Sequence, residues 1–77
     1  MLRRSITARE FVTALVRDGF LLKRVRGSHR VYRNPDGRRV VAAYHGLGQT
    51  FPTGTLRAMI KDAGWSDEDL KRFGWLD

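Results

Sequence analysis

Apolar residues follow two rhythms along this chain. Phe11, Val12, Leu15 and Val16 recur at helical spacing and form one stripe. Thr7-Ala8-Arg9-Glu10 just before them has the form of a capping box, in which the Thr7 hydroxyl accepts from the Glu10 amide and Glu10 reaches back. Ile6 and Phe11 stand at the two ends of a hydrophobic staple. Gly19 can take the left-handed position that closes a helix, turning Phe20 toward Leu15. A helix is therefore predicted over about residues 8–18. The rhythm then shortens. Phe20–Arg26, Ser28–Arg33 and Arg38–Tyr44 are rich in branched and aromatic residues and are predicted strands. Gly27 separates the first two. Asn34-Pro35-Asp36-Gly37 separates the others as a turn, with φ preset at Pro35 and a positive φ open to Gly37. Three short strands joined this tightly make an antiparallel meander.

After a loop from His45 to Phe51, helical spacing returns in Leu56, Met59, Ile60 and Ala63. Gly64 stops this second helix and lets Trp65 fold back on Ile60. Ser66-Asp67-Glu68-Asp69 starts a last short helix, its acids placed where the helix dipole favours negative charge. Leu70 and Phe73 are its apolar contacts, and Gly74 ends it. Met59 and Trp65 read as core. The fold class is thus α+β: one domain over residues 1–77, ordered α-β-β-β-α, with a three-stranded antiparallel sheet and a short C-terminal helix. Two helices cover one sheet face, and the other is left for a partner.

Composition narrows the function. At 77 residues the chain has room for one thin core and excludes a two-halved nucleotide-binding sheet. It has no cysteine, so disulfides and thiolate metal sites are excluded. The net charge of +7 is unevenly placed: residues 1–40 carry 11 basic and 3 acidic side chains, whereas residues 41–77 carry 4 and 5. Seven basic residues lie between Lys23 and Arg39 with only one acid, Asp36. Twelve of the 15 basic residues are arginine, whose planar fork matches phosphate. A surface that merely keeps a small protein soluble does not need such segregation, so a polyanionic partner is expected. The opening Met1-Leu2-Arg3-Arg4-Ser5 precedes no apolar signal region, and no stretch approaches the roughly 18 apolar residues that span a bilayer. A cytoplasmic protein without membrane contact is the expectation.

Candidate chemistry is sparse. The two histidines, His29 and His45, have no acid or thiol at ligand spacing, so no metal site is expected. There is no Gly-x-Ser-x-Gly elbow. Asp67, Glu68 and Asp69 are helix-dipole partners rather than a catalytic carboxylate pair. What remains is Gly27-Ser28-His29 within the basic run Lys23 to Arg30. Histidine changes charge near neutral pH, so a neutral imidazole here can take the proton of an RNA 2′-hydroxyl. Neighbouring arginines would stabilise charge building on the attacked phosphate. Read from composition alone, His29 is first an ordinary strand residue in a binding surface. It shares strand parity with Val31 and Arg33, whereas Ser28 and Arg30 share it with Tyr32, and His29 is expected at the exposed rim of the sheet.

The whole chain resembles the HicA family of bacterial toxins. The matching residues are Asp18-Gly19-Phe20, Gly27-Ser28-His29, Tyr32-Arg33-Asn34-Pro35-Asp36-Gly37-Arg38, then His45, Gly54-Thr55-Leu56 and Ala63-Gly64, in order across roughly residues 7–70. The resemblance implies the fold of double-stranded-RNA-binding domains. It also implies a type II toxin that cleaves mRNA without the ribosome, a metal or a cofactor, with His29 catalytic, neutralised by a HicB-type antitoxin encoded beside it. Lys23, Arg24, Arg26, Gly27, Ser28, Arg30 and His45 are the expected RNA-contacting set. A non-catalytic RNA-binding module is the alternative, and a monomer is expected when the protein is free. Many members carry a second histidine directly after the first, where Arg30 stands here. The loop after His45 is longer and richer in glycine than the family's usual form, so His45 either positions substrate or closes the third strand. Gly46 and Gly48 resemble a phosphate nest. The second helix could hold a phosphate near Thr53 to Thr55, or Thr53 could simply cap it.

Overall fold

Thr7 caps the first helix as its sequence requires. Its hydroxyl accepts from the Glu10 amide at 3.1 Å, and the Glu10 carboxylate accepts from the Thr7 amide at 3.2 Å. The computed structural model describes residues 1–3 and 5–77. From that cap runs α1 (Ala8–Arg17), followed by β1 (Leu21–Arg26), β2 (His29–Arg33), β3 (Arg39–Ala43), α2 (Thr53–Ala63) and α3 (Asp67–Phe73). The strands form one antiparallel sheet in the order β1-β2-β3. The predicted α+β class and the α-β-β-β-α order with a C-terminal helix are both present. Gly19, at φ +94°, reverses the chain so that the Phe20 amide donates to the Leu15 carbonyl at 2.9 Å. Among the described residues, no helix is long and apolar enough to cross a membrane.

The sheet is covered on one face only. Tyr32, Val40 and Ala42 point into the core with Phe11, Leu15, Leu56 and Met59, and α2 packs against β3. Residues of the opposite parity, from His29 to Arg33 and from Arg39 to Ala43, are half-buried or exposed. β1 lies beyond the cover of the helices and is exposed along its whole length, Leu21, Leu22 and Val25 included. Its apolar composition does not signal burial; the anchor is Phe20, just before the strand and fully buried.

Three features depart from the sequence reading or go beyond it. Pro52, not Thr53, occupies the cap position of α2, and no side chain caps that end. α3 begins with a second capping box: Asp69 accepts from the Ser66 amide at 2.9 Å and donates its own amide to the Ser66 hydroxyl at 3.3 Å. Trp75, beyond the last helix, is buried against Phe11 and Trp65, each ring centroid 5.7 Å from its own. Its carbonyl accepts from the Arg3 amide at 2.7 Å, drawing the two chain ends together.

The elements are fastened at Asp18, directly after α1. Its carboxylate accepts from Arg38 Nη1 at 2.8 Å and from Trp65 Nε1 at 2.9 Å, and its carbonyl accepts from Asn34 Nδ2 at 2.8 Å. Arg38 also donates to the Ala63 carbonyl at 2.6 Å and to Asp36, and lies over the Phe20 ring with its guanidinium carbon 5.0 Å from the centroid. Gly64, at φ +72°, leaves the space this arginine needs: a Cβ there would sit 3.1 Å from Arg38 Cδ. One half-exposed carboxylate thus joins the end of α1, the β2–β3 turn and the end of α2.

Removing that carboxylate leaves the Trp65 indole without its acceptor and Arg38 with Asp36 as its one remaining carboxylate, so Asp18→Ala is expected to lower stability by about 1–3 kcal/mol in urea unfolding. Acid should loosen the fold at its caps. Arg3 holds the Glu10 carboxyl below its usual range, and the Ser66 amide does the same for Asp69. A group whose folded pKa is lowered stabilises the fold above its unfolded value and loses that contribution as pH falls through the folded value. The urea midpoint should therefore change little down to about pH 5 and fall below it.

Candidate nucleic-acid interface

Gly27 and Ser28 form a two-residue loop between Arg26 and His29, which are cross-strand partners. Gly27 has φ +58° and Ser28 has no positive φ, the pattern of a type II′ turn with glycine in its first central place. A Cβ on Gly27 would meet nothing within 4 Å, so the glycine serves the turn and not close packing. The turn delivers His29 as the first residue of β2.

Register decides which residues share the open face. Pairs directly across an antiparallel sheet lie on the same side. Arg26, His29 and Ala43 make one row, Arg24, Val31 and Val41 the next, and Leu21, Arg33 and Arg39 the third. His29 is exposed, with a cation across on β1 and a small side chain across on β3. Lys23 is the extra residue of a bulge between Leu22 and Arg24.

Arg30 has the opposite parity and faces the core side. Its guanidinium carbon lies 4.1 Å from the centre of the Tyr44 ring, and Nη1 donates to the Ser28 carbonyl at 3.1 Å and to the Tyr44 carbonyl. The Ser28 carbonyl also accepts from the Tyr44 amide at 3.0 Å. Tyr44 in turn shares a hydroxyl hydrogen bond of 3.1 Å with Tyr32, whose phenol burial pushes well above its usual range, with the Tyr44 bond acting in the same direction. This stack ties the β1–β2 turn to the end of β3 directly beneath His29.

His45 follows β3 at the same end of the sheet and is exposed; its amide donates to Gln49 Oε1 at 2.9 Å. The loop beyond it turns carbonyls toward α1: Gln49 accepts from the Ala8 amide at 2.7 Å and Leu47 from the Arg9 amide at 2.9 Å. The segment containing Gly46 and Gly48 thus helps satisfy the first amides of α1.

Arg24, Arg26 and His29 therefore meet on the open face, Gly27 and Ser28 build the turn beside them, Lys23 marks the bulge, and Arg30 braces the site from below. Sequence reasoning missed Arg33 and Arg39, which complete the open face. The parity of Arg33 with His29 was legible; its pairing with Arg39 depended on where the Asn34–Gly37 turn set the register. Among the described residues no three His, Cys, Asp or Glu side chains cluster as a metal site would require.

The family described as HicA toxin of bacterial toxin-antitoxin matches residues 8–65 of the 77. No curated protein matches the chain.

The bracing by Arg30 needs its planar fork. Arg30→Lys keeps the charge but loses the stacking and one of two carbonyl bonds, and should cost about 1–2 kcal/mol in urea unfolding. An unchanged midpoint would remove the brace.

Proposed function

The chain belongs to the HicA family, the toxins of bacterial toxin–antitoxin modules, and from that premise we propose that it is an mRNA endonuclease with His29 as general base. A toxin of such a module has an antitoxin partner. The observation that carries the reading is the row Arg26–His29–Ala43: an exposed histidine directly across from an exposed arginine on one strand and from a small alanine on the other.

His29 takes the proton of an RNA 2′-hydroxyl. The 2′-oxygen attacks the adjacent phosphorus, the bond to the 5′-oxygen breaks, and that oxygen leaves with a proton from water. The products are a 2′,3′-cyclic phosphate and a 5′-hydroxyl. Arg26 stabilises the charge that grows on the phosphate oxygens, and Arg24 holds the strand alongside. The RNA supplies its own nucleophile, so one base and a cationic cradle suffice, without ribosome, metal or cofactor. Gly27 and Ser28 set the position of His29 through the turn, and Arg30 acts as a positioning residue beneath it. His45, at the same end of the sheet, lies within the reach of a bound strand. The protein works as a monomer in the cytoplasm, and a HicB-type antitoxin encoded beside it neutralises it.

Purified protein incubated with single-stranded RNA in EDTA should cleave it and leave 2′,3′-cyclic ends. His29→Ala should lose at least about 100-fold of the rate. Equal cleavage by both proteins would remove His29 from the mechanism. Salt-sensitive binding without any cleavage would make the chain an RNA-binding module.

A further inference from the structure

We infer that Arg33 and Arg39 form a phosphate-binding subsite at the far end of the open sheet face from His29, where one RNA phosphate bridges the two guanidinium groups. The inference rests on the ribonuclease reading above for its ligand, and on independent geometry for its place.

Two like charges directly across an antiparallel pair oppose folding. Arg33 and Arg39 are such a pair. Backbone bonds from Tyr44 to Ser28 and from Asn34 to Arg38 mark the even-numbered β2 residues as the hydrogen-bonded pairs. Arg33 and Arg39 therefore occupy a non-hydrogen-bonded pair, where Cα atoms are only about 4.5 Å apart and side chains are closest. Arginine does not relieve the repulsion by losing a proton. Nor does a carboxylate relieve it: the one acid of the adjoining turn, Asp36, is taken by Arg38 through Nε at 2.9 Å and Nη2 at 2.8 Å. Among the described residues neither Arg33 nor Arg39 has an ion-pair partner, and both are exposed.

The fold thus sets two exposed arginines directly across from each other, and among the described residues neither is paired with a carboxylate. A phosphate diester carries one negative charge and two free oxygens, and suits two converging guanidinium groups. The same strand carries His29 four residues away on the same face, a separation of about 13 Å, which a few nucleotides of single strand cover. Between the two ends lie Val31 and Val41, half-buried and paired, an apolar floor against which bases can rest. An acidic protein surface could also neutralise two arginines. Collinearity with His29 along one strand favours the nucleic acid.

The test uses the full chain and a short single-stranded 2′-O-methyl RNA, which cannot be cut. Arg33→Gln/Arg39→Gln should bind it about tenfold more weakly at low salt than wild type. The slope of log affinity against log salt should shrink by about 0.7, the share of one neutralised phosphate on a single strand. The urea midpoint of the variant should be unchanged or higher, because a repulsion has been removed. Arg57→Gln, exposed on α2, should alter neither quantity. If wild type binds and cleaves RNA while the double variant keeps its affinity and slope, the subsite is overturned and the ribonuclease reading stands. If wild type neither binds nor cleaves RNA, both fall. A urea midpoint that drops in step with affinity would make the pair structural, and loss of antitoxin binding with RNA binding intact would give the surface to the antitoxin; either overturns the subsite.

Discussion

The carboxylate of Asp18 is the constraint on which the rest of this small fold depends. It accepts from Arg38 and from the Trp65 indole, while its own carbonyl holds Asn34. Three segments distant in sequence meet there: the end of α1, the β2–β3 turn and the end of α2. Asp36 and the Ala63 carbonyl engage the remaining donors of Arg38, so its charge is fully answered at a half-buried position. Gly19 and Gly64 flank the site because each carries the chain through a positive φ where side chains crowd. A core as thin as this one gains its orientation from such a junction as much as from apolar area.

That junction determines which side of the sheet is covered. With the β2–β3 turn held against both helix ends, Tyr32, Val40 and Ala42 face the core and His29 faces solvent. The arginines divide accordingly. Arg38 and Arg30 lie inward and work on architecture, one at Asp18 and one on Tyr44. Arg24, Arg26, Arg33 and Arg39 lie outward around His29, Val31 and Val41. The net charge of +7 is therefore not one undifferentiated basic surface. Its outward part is a patterned sheet face, and the absence of acids from that face leaves its field uncancelled.

Much of this was legible in the sequence. The Thr7–Glu10 cap, the fold-back of Phe20 at Gly19 and that of Trp65 at Gly64 are local devices, set by neighbours within a few residues, and all three are present. Long-range consequences were not. Gly27-Ser28-His29 stood out, but parity alone left His29 grouped with Val31 against Tyr32 with Arg30, two sets of similar apolar content. The choice came from Tyr44 and Arg30 stacking on the core side. Asp18, Asn34, Arg38 and Ala63-Gly64 were visible as members of a family pattern, yet their common purpose emerges only where the segments converge. The burial of Trp75 depends on a surface formed by α1 and Trp65, which no local pattern encodes. The exposure of β1 follows from its place at the edge of the sheet opposite β3, the strand against which α2 packs.

The central claim is that the uncovered sheet face, and not the helical face, receives RNA. Backbone amide NMR of the isotopically labelled protein, titrated with uncleavable single-stranded RNA, tests it most directly. The account predicts shifts concentrated at Arg24, Arg26, His29, Val31, Arg33 and Arg39, with α2 and α3 unaffected. Shifts concentrated along α1 and α2, with the sheet face silent, would contradict it.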